Sequence, residues 1–153
     1  MQCRWGLTLP ELVGRHGLDK NKKESSEARS FVMAVDDDPT VLRIIETFLG
    51  QHNYFVKTAL SGEEALGVLM EEIPAVLILD VIMPGTSGYD ICRLVKRDIR
   101  LKEVPVIFLT SKSAPKDFKI GHDLGAVIYM TKPFKPQKLL HVVQMLCPGL
   151  QEL

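Results

Sequence analysis

Short apolar runs alternate with longer amphipathic stretches from residue 31 onward. Phe31-Val32-Met33-Ala34-Val35 is continuously apolar, the pattern of a strand buried on both faces. Three aspartates and a proline end it. Val41, Ile44, Ile45 and Phe48 then fall at i, i+3, i+4 and i+7, which predicts one face of a helix. Pro39 suits its first turn and Asp38 its N-cap. Tyr54-Phe55-Val56 predicts a second strand. Ser61 and Glu64 are spaced as a capping box that opens a second helix. Ala75 to Leu79 predicts a third strand, ending at Asp80. A loop with Pro84, Gly85 and Gly88 leads to a third helix through Ile91, Leu94, Val95 and Ile99. Val104 to Leu109 predicts a fourth strand, ending at Thr110, and a weak helix follows from Lys116 to Leu124. Ala126 to Met130 predicts a fifth strand, ending at Lys132-Pro133. The last helix places Leu139, Val142, Val143 and Leu146 on one face.

Five strand–helix units of this kind predict an α/β fold. Runs that are apolar rather than alternating argue for a parallel sheet covered on both sides. Right-handed crossovers make it doubly wound, and ligand-binding groups then gather at the carboxyl ends of the strands. Residues 1–30 read differently. They carry six basic and four acidic residues, and 19–30 are almost wholly polar. They are expected to be an N-terminal extension or linker, with a short amphipathic turn at Leu9–Val13. Residues 31–147 form the domain, and 148–153 a tail too short for an effector domain. The chain is thus expected either to act alone by docking or to be part of a longer regulator.

Composition removes several classes of function. Hydrophobic residues make up 46% of the 153 and charged residues 25%, which suits a soluble globular chain with its own core. Nineteen basic residues balance nineteen acidic ones, so nucleic-acid binding through bulk charge is not expected. No apolar run approaches the ~20 residues of a membrane-spanning helix, and no signal peptide is recognised. Cys3, Cys92 and Cys147 are far apart and form no CxxC pair, as free thiols in a reducing cytoplasm would be.

The chemistry lies at the strand ends. Asp36 and Asp37 follow the first strand, Asp80 the third, Thr110 the fourth and Lys132 the fifth. Three carboxylates brought together repel one another and call for a divalent cation; hard oxygen ligands suit Mg²⁺. The Lys132 ammonium is a point charge able to hold a phosphoryl oxygen. A carboxylate can itself accept a phosphoryl group. No Gly-rich phosphate loop is present, so the phosphate is expected to be a transferred group rather than part of a bound nucleotide.

From about Phe31 to Cys147 the chain resembles the receiver domain of two-component response regulators. The matching pieces are Val-Asp-Asp-Asp-Pro at 35–39, Leu-Asp-Val-Ile-Met-Pro-Gly-Thr-Ser-Gly at 79–88, Pro-Val-Ile-Phe-Leu-Thr at 105–110, Gly-Ala at 125–126 and Lys-Pro-Phe at 132–134. The resemblance implies a flavodoxin-like (CheY-like) three-layer sandwich. It implies Asp80 as phosphoacceptor, and Asp36, Asp37, Asp80 and the Ile82 carbonyl as the Mg²⁺ site. Thr110 is implied as the switch hydroxyl, Lys132 as the phosphate-binding lysine and Tyr129 as the switch aromatic, which rotates inward from the surface as Thr110 moves. The Lys132–Pro133 bond is implied to be cis. The implied partners are a sensor histidine kinase or phosphotransfer protein and a downstream protein or missing effector domain, in the cytoplasm. Such a protein is no conventional enzyme: it catalyses its own phosphotransfer and loses the group slowly.

The chain departs from that family's common pattern in a few places. Apolar Val127 and Ile128 precede Tyr129, which allows a homodimer on that face. Ile82 offers no polar group to an attacking water, and Lys112 is expected to shield the site. Two other readings remain: a degenerate receiver serving only as a binding module, and an aspartate-nucleophile phosphatase built on Asp36-x-Asp38-x-Thr40. The second lacks a later acidic pair and a cap insertion.

Overall fold

The computed structural model describes residues 29–148. The Leu9–Val13 turn, Cys3 and most of the C-terminal tail lie outside the described residues. Five strands, β1 (Val32–Val35), β2 (Val56–Ala59), β3 (Val76–Leu79), β4 (Val106–Thr110) and β5 (Ile128–Thr131), alternate with five helices. These are α1 (Pro39–Gln51), α2 (Gly62–Glu71), α3 (Gly88–Arg97), α4 (Pro115–Asp123) and α5 (Pro136–Leu146). All strand pairs are parallel, in the order β2-β1-β3-β4-β5. The chain reverses its winding between β1 and β3, so both strands open their carboxyl ends onto one crevice.

The continuous apolar runs follow from the two cores. Val32, Ala34, Ile78 and Ile107 pack under Leu42, Ile45 and Leu49 of α1 and Leu139 and Val143 of α5. Met33, Val35, Leu77, Leu79 and Phe108 pack under Ala65 and Leu69 of α2 and Ile91, Cys92 and Val95 of α3. Successive residues point to opposite faces, and both faces are dry.

Several elements differ from their expected form. β2 begins where the expected strand ends. Tyr54 and Phe55 lead into it, and Lys57 and Thr58 are half-buried members, because β2 is an edge strand with a partly polar face. In α1 the buried stripe is Leu42, Ile45 and Leu49, one position round from the predicted Val41, Ile44 and Phe48, and Ile44 is exposed. Leu94 is exposed and Ile99 lies beyond the end of α3. Asp38 caps α1 as expected, its carboxylate accepting from Thr40 N at 2.8 Å. Ser61 Oγ accepts from Glu64 N, but the Glu64 carboxylate reaches back to Leu60 N, so the box is shifted by one residue. A complete capping box instead joins Ser87 and Asp90 at the start of α3.

Gly88 ties that helix to the site. A Cβ there would lie 2.0 Å from the carbonyl oxygen of Asp80 and 3.0 Å from Val81 Cα, both backbone atoms that cannot yield cheaply. Gly88 N also donates to Val81 O at 3.1 Å. The first residue of α3 therefore rests on the backbone of Asp80 itself. Gly67, in the middle of α2, has open space around it. Gly88→Ala is expected to lower the unfolding free energy by at least about 2 kcal/mol through overpacking. Gly67→Ala should raise it by up to about 1 kcal/mol through helix propensity. Urea denaturation of the two variants checks the contrast.

Candidate functional site

The ends of β1, β3, β4 and β5 bring the polar groups together. Asp36 N donates to Ala59 O at 3.1 Å and Asp80 N to Val35 O at 2.9 Å, so both aspartates extend the ladder at neighbouring strand ends. Thr110 closes β4, pairs with Thr131 in register and is fully buried. Lys132 N donates to Thr110 O at 2.9 Å, which sets the lysine beside it. The Lys132–Pro133 bond is cis.

The carboxylates of Asp36, Asp37 and Asp80 lie within 4.8 Å of one another. Asp36 and Asp80 are only 2% and 6% exposed, whereas Asp37 faces solvent. The Lys132 ammonium reaches Asp36 Oδ2 at 2.6 Å and Asp80 Oδ2 at 3.2 Å. Asp36 Oδ1 also accepts from Asp38 N at 2.9 Å, and Asp80 Oδ1 from Ile82 N at 3.3 Å. Burial pushes the Asp36 carboxyl above its ordinary pKa and the charge of Asp80 adds to that. The hydrogen bonds from Lys132 and the Asp38 amide oppose it without cancelling it. For Lys132, burial pulls the ammonium's pKa down. The bond to Asp36 and the charges of Asp80 and Asp36 outweigh it, and the pKa ends above its usual value. The lysine thus stays a cation between the two carboxyl groups.

These residues fit a hard divalent cation. The donors are carboxylate oxygens, and Asp37 makes no hydrogen bond or ion pair among the described residues. Asp36 engages Lys132 and the Asp38 amide at 2.6 and 2.9 Å, Asp80 engages Lys132 and the Ile82 amide at the longer 3.2 and 3.3 Å, and Asp37 engages neither, so Asp37 is the freest ligand and Asp80 the next. Ile82 is 52% exposed at the mouth.

The Lys112 backbone N–H points at Thr110 Oγ1 at 3.4 Å, and its ammonium stands 5.8 Å from the centre of the Tyr89 ring, a cation–π attraction. The Tyr129 ring is packed inward between Phe118 at 4.7 Å and Phe108 at 5.8 Å, centroid to centroid. Its hydroxyl is buried without a well-formed hydrogen bond, with the Tyr89 side chain as its polar neighbour. Burial first, and then Tyr89, push the phenol's pKa well up. Tyr89 meets Phe108 edge-on at 5.2 Å.

Sequence reasoning passes over Glu63 and Thr86. The Glu63 carboxylate accepts from Thr86 Oγ1 at 2.6 Å and Thr86 N at 3.1 Å, and so clamps the loop after Asp80 to the start of α2. The hydrogen bond from Thr86 lowers the Glu63 pKa. A contact between residues 23 positions apart leaves no periodic signal. Tyr89 and Phe118 are missed for the same reason, as each looks like an ordinary residue of an amphipathic helix.

Comparison with known proteins agrees with this geometry. The family model described as the response regulator receiver domain matches residues 32–144. Among curated relatives, the protein named "Probable transcriptional regulator ycf27" of Guillardia theta is 42% identical over 113 residues, which is 74% of this chain and 43% of that protein. Protein PilG of Pseudomonas aeruginosa is 36% identical over 118 residues, 77% of this chain and 87% of PilG. The chain spans less than half the length of the ycf27 relatives it matches. Among solved structures, the chemotaxis protein CheY4 of Vibrio cholerae superposes with a TM-score of 0.73 at 32% identity, over 78% of this chain and 99% of that one. The BeF3-activated receiver domain of DrrB, a Thermotoga maritima protein, gives 0.72 at 39% identity, over 78% and 97%. With its five parallel strands and its acidic pocket at their carboxyl ends, this chain belongs to the receiver domains of two-component response regulators.

Proposed function

We propose that Asp80 accepts a phosphoryl group from a sensor histidine kinase or a phosphotransfer protein, and that this modification adjusts a protein-interaction surface. The observation that carries the reading is the Lys132 ammonium held 3.2 Å from Asp80 Oδ2 and 2.6 Å from Asp36 Oδ2. In the transfer, an Asp80 carboxylate oxygen attacks phosphorus. The new oxygen–phosphorus bond forms as the donor's phosphorus–nitrogen bond breaks, and the imidazole leaves with that bond's electrons. Lys132 sits where it can neutralise the phosphoryl oxygens, and Thr110, at the next strand end, is the hydroxyl available to them. Asp37 and Asp80, with the Ile82 carbonyl and Asp36 as outer partner, would hold Mg²⁺, which supplies charge neutralisation on the transferred group. The phosphoryl group carries about −1.5 to −2 charge where the Asp80 carboxylate carried −1, and Thr110 and Tyr129 are the side chains through which the change would reach the surface.

The partners are read from the family and this chain's surface. A kinase or phosphotransfer protein donates, and a downstream protein or an effector domain outside this chain receives the signal. Val127 is 53% exposed beside β5, and a homodimer through that face is compatible with it. Among the described residues no helix is long and apolar enough to cross a membrane. A cytoplasmic location fits the family's kinase partners.

With acetyl phosphate and Mg²⁺, mass spectrometry should show one alkali-labile phosphoryl group per chain. Asp80→Asn should show none while keeping the wild-type circular dichroism. Full labelling of Asp80→Asn at the wild-type rate would remove Asp80 from its role. Turnover of the donor without an adduct would favour a hydrolase, and no reaction at all a binding module. Asp37→Ala should weaken Mg²⁺ binding more than Asp36→Ala, read by NMR shifts near Asp80; unchanged affinity in both would place the cation elsewhere. Ile82→Asn should shorten the phosphoprotein's lifetime, because its amide can anchor an attacking water. Equal decay in variant and wild type would show that Ile82 does not limit hydrolysis.

A further inference from the structure

Glu63 stands in the first turn of α2, where a carboxylate commonly serves the free N–H groups of its own helix. Its neighbour Glu64 stays local and accepts from Leu60 N at 3.0 Å. Glu63 instead reaches outside the helix. Its Oε1 accepts from Thr86 N at 3.1 Å and from Thr86 Oγ1 at 2.6 Å. Glycine makes the approach possible on both sides. A Cβ at Gly62 would lie 2.7 Å from both Thr86 Cβ and Thr86 O, so the start of α2 touches the loop itself. A Cβ at Gly85 would lie 2.9 Å from Glu63 Oε1, and Gly85 has a φ of 75°, a conformation that strains any side chain. The carboxylate therefore sits in the hollow that a glycine leaves.

The loop held in this way is the one that leaves Asp80 and joins β3 to α3. At its start Ile82 N donates to Asp80 Oδ1 at 3.3 Å. At its end Gly88 N returns to Val81 O at 3.1 Å, and Gly88 packs on the Asp80 carbonyl oxygen. Met83 is buried, but Pro84 and Gly85 are exposed and bury no side chain of their own. Glu63 fastens the far end of that exposed stretch to α2. Fixing the chain on both sides of a short turn leaves its backbone few conformations. With Thr86 released, the turn at Gly85 gains freedom, and the residues ahead of it, Ile82 among them, gain it too.

We propose that Glu63 is a positioning residue for the cation site: by holding Thr86 it fixes the loop that presents the Ile82 carbonyl, and so sets the affinity for Mg²⁺. The proposal rests on the reading of that carbonyl as a ligand. Glu63 acts through the loop and not on the cation or the phosphoryl group. Groups that orient a metal ligand without touching the metal lower its affinity when they are removed. Glu63 is exposed and Thr86 half-buried, so water competes for the clamp and the effect is several-fold rather than complete.

The test separates position from charge and needs no phosphodonor. Mg²⁺ is titrated into the full chain by NMR, and amide hydrogen exchange is read in the metal-free protein. Glu63→Ala should weaken Mg²⁺ binding several-fold and speed exchange of the Ile82 amide. Glu63→Gln loses the charge and keeps the accepting oxygen, so it should stay close to the wild type in both measurements. Thr86→Val changes no charge; it should weaken binding in the same direction and add nothing in a Glu63→Ala background. Unchanged Mg²⁺ affinity or unchanged Ile82 exchange in Glu63→Ala would overturn the proposal, even if that variant were less stable. So would equal losses in Glu63→Gln and Glu63→Ala, the mark of charge alone, or additive losses in the double variant, or a wild type that binds no Mg²⁺. Phosphoryl labelling of Asp80 is scored apart from these. An unlabelled wild type whose Mg²⁺ affinity follows Glu63 in this way would remove the acceptor role and keep the clamp, and a labelled protein indifferent to Glu63 would do the reverse.

Discussion

One ammonium group holds two nearly buried carboxylates together at the floor of an open crevice. Asp36 and Asp80 would repel each other across that corner, and burial penalises the Asp36 anion. Lys132 reaches both and stays charged because both neighbours favour its cation. The arrangement is costly, and the fold sustains it through the backbone. Asp36 and Asp80 continue β1 and β3, Lys132 follows β5, and each is fixed by a ladder hydrogen bond to the adjoining strand. A parallel sheet puts these ends side by side, and the change of winding direction between β1 and β3 leaves the crevice above them open.

The pocket connects to the outer surface along two strands. Thr110 and Phe108 are two residues apart on β4 and so lie on the same face, the face that α3 and α4 cover. Phe108 touches Tyr89 on one side and Tyr129 on the other. The hydroxyl expected to follow the phosphoryl group thus shares a strand face with the rings that shape the α4–β5 surface. Lys112 lies in the same region with its ammonium over Tyr89, so charge and aromatic packing meet at the rim of the pocket.

Much of this was legible from residue order. Strands buried on both faces have to be apolar at every position, and β1, β3 and β4 show it without alternation. The site residues were legible because a polar residue directly after such a run can only sit at its carboxyl end: Asp36, Asp80 and Lys132 were found that way, and Thr110 as the last residue of its run. What escaped had no periodic mark. β2 is half polar because it is an edge. The Ile44 stripe was misread by one position because α1 carries more apolar residues than it buries, and Ile44 and Phe48 instead line a shallow groove beside Pro136. The Glu63–Thr86 clamp, the draw of Lys112 toward Tyr89 and the inward Tyr129 depend on contacts between distant residues, which no local window reports.

The central claim is that Lys132 neutralises the paired carboxylates in the place a divalent cation would otherwise serve. Lys132→Met keeps most of the side chain's apolar stem and removes its charge. Urea denaturation with and without Mg²⁺, together with an Mg²⁺ titration, measures the consequence. Without Mg²⁺ the variant should be less stable than the wild type by about 1–3 kcal/mol, the cost of leaving buried charged acceptors without their donor. It should bind Mg²⁺ more tightly, and saturating Mg²⁺ should narrow the gap in stability. Equal stability of variant and wild type without Mg²⁺, with equal Mg²⁺ affinity, would contradict the account.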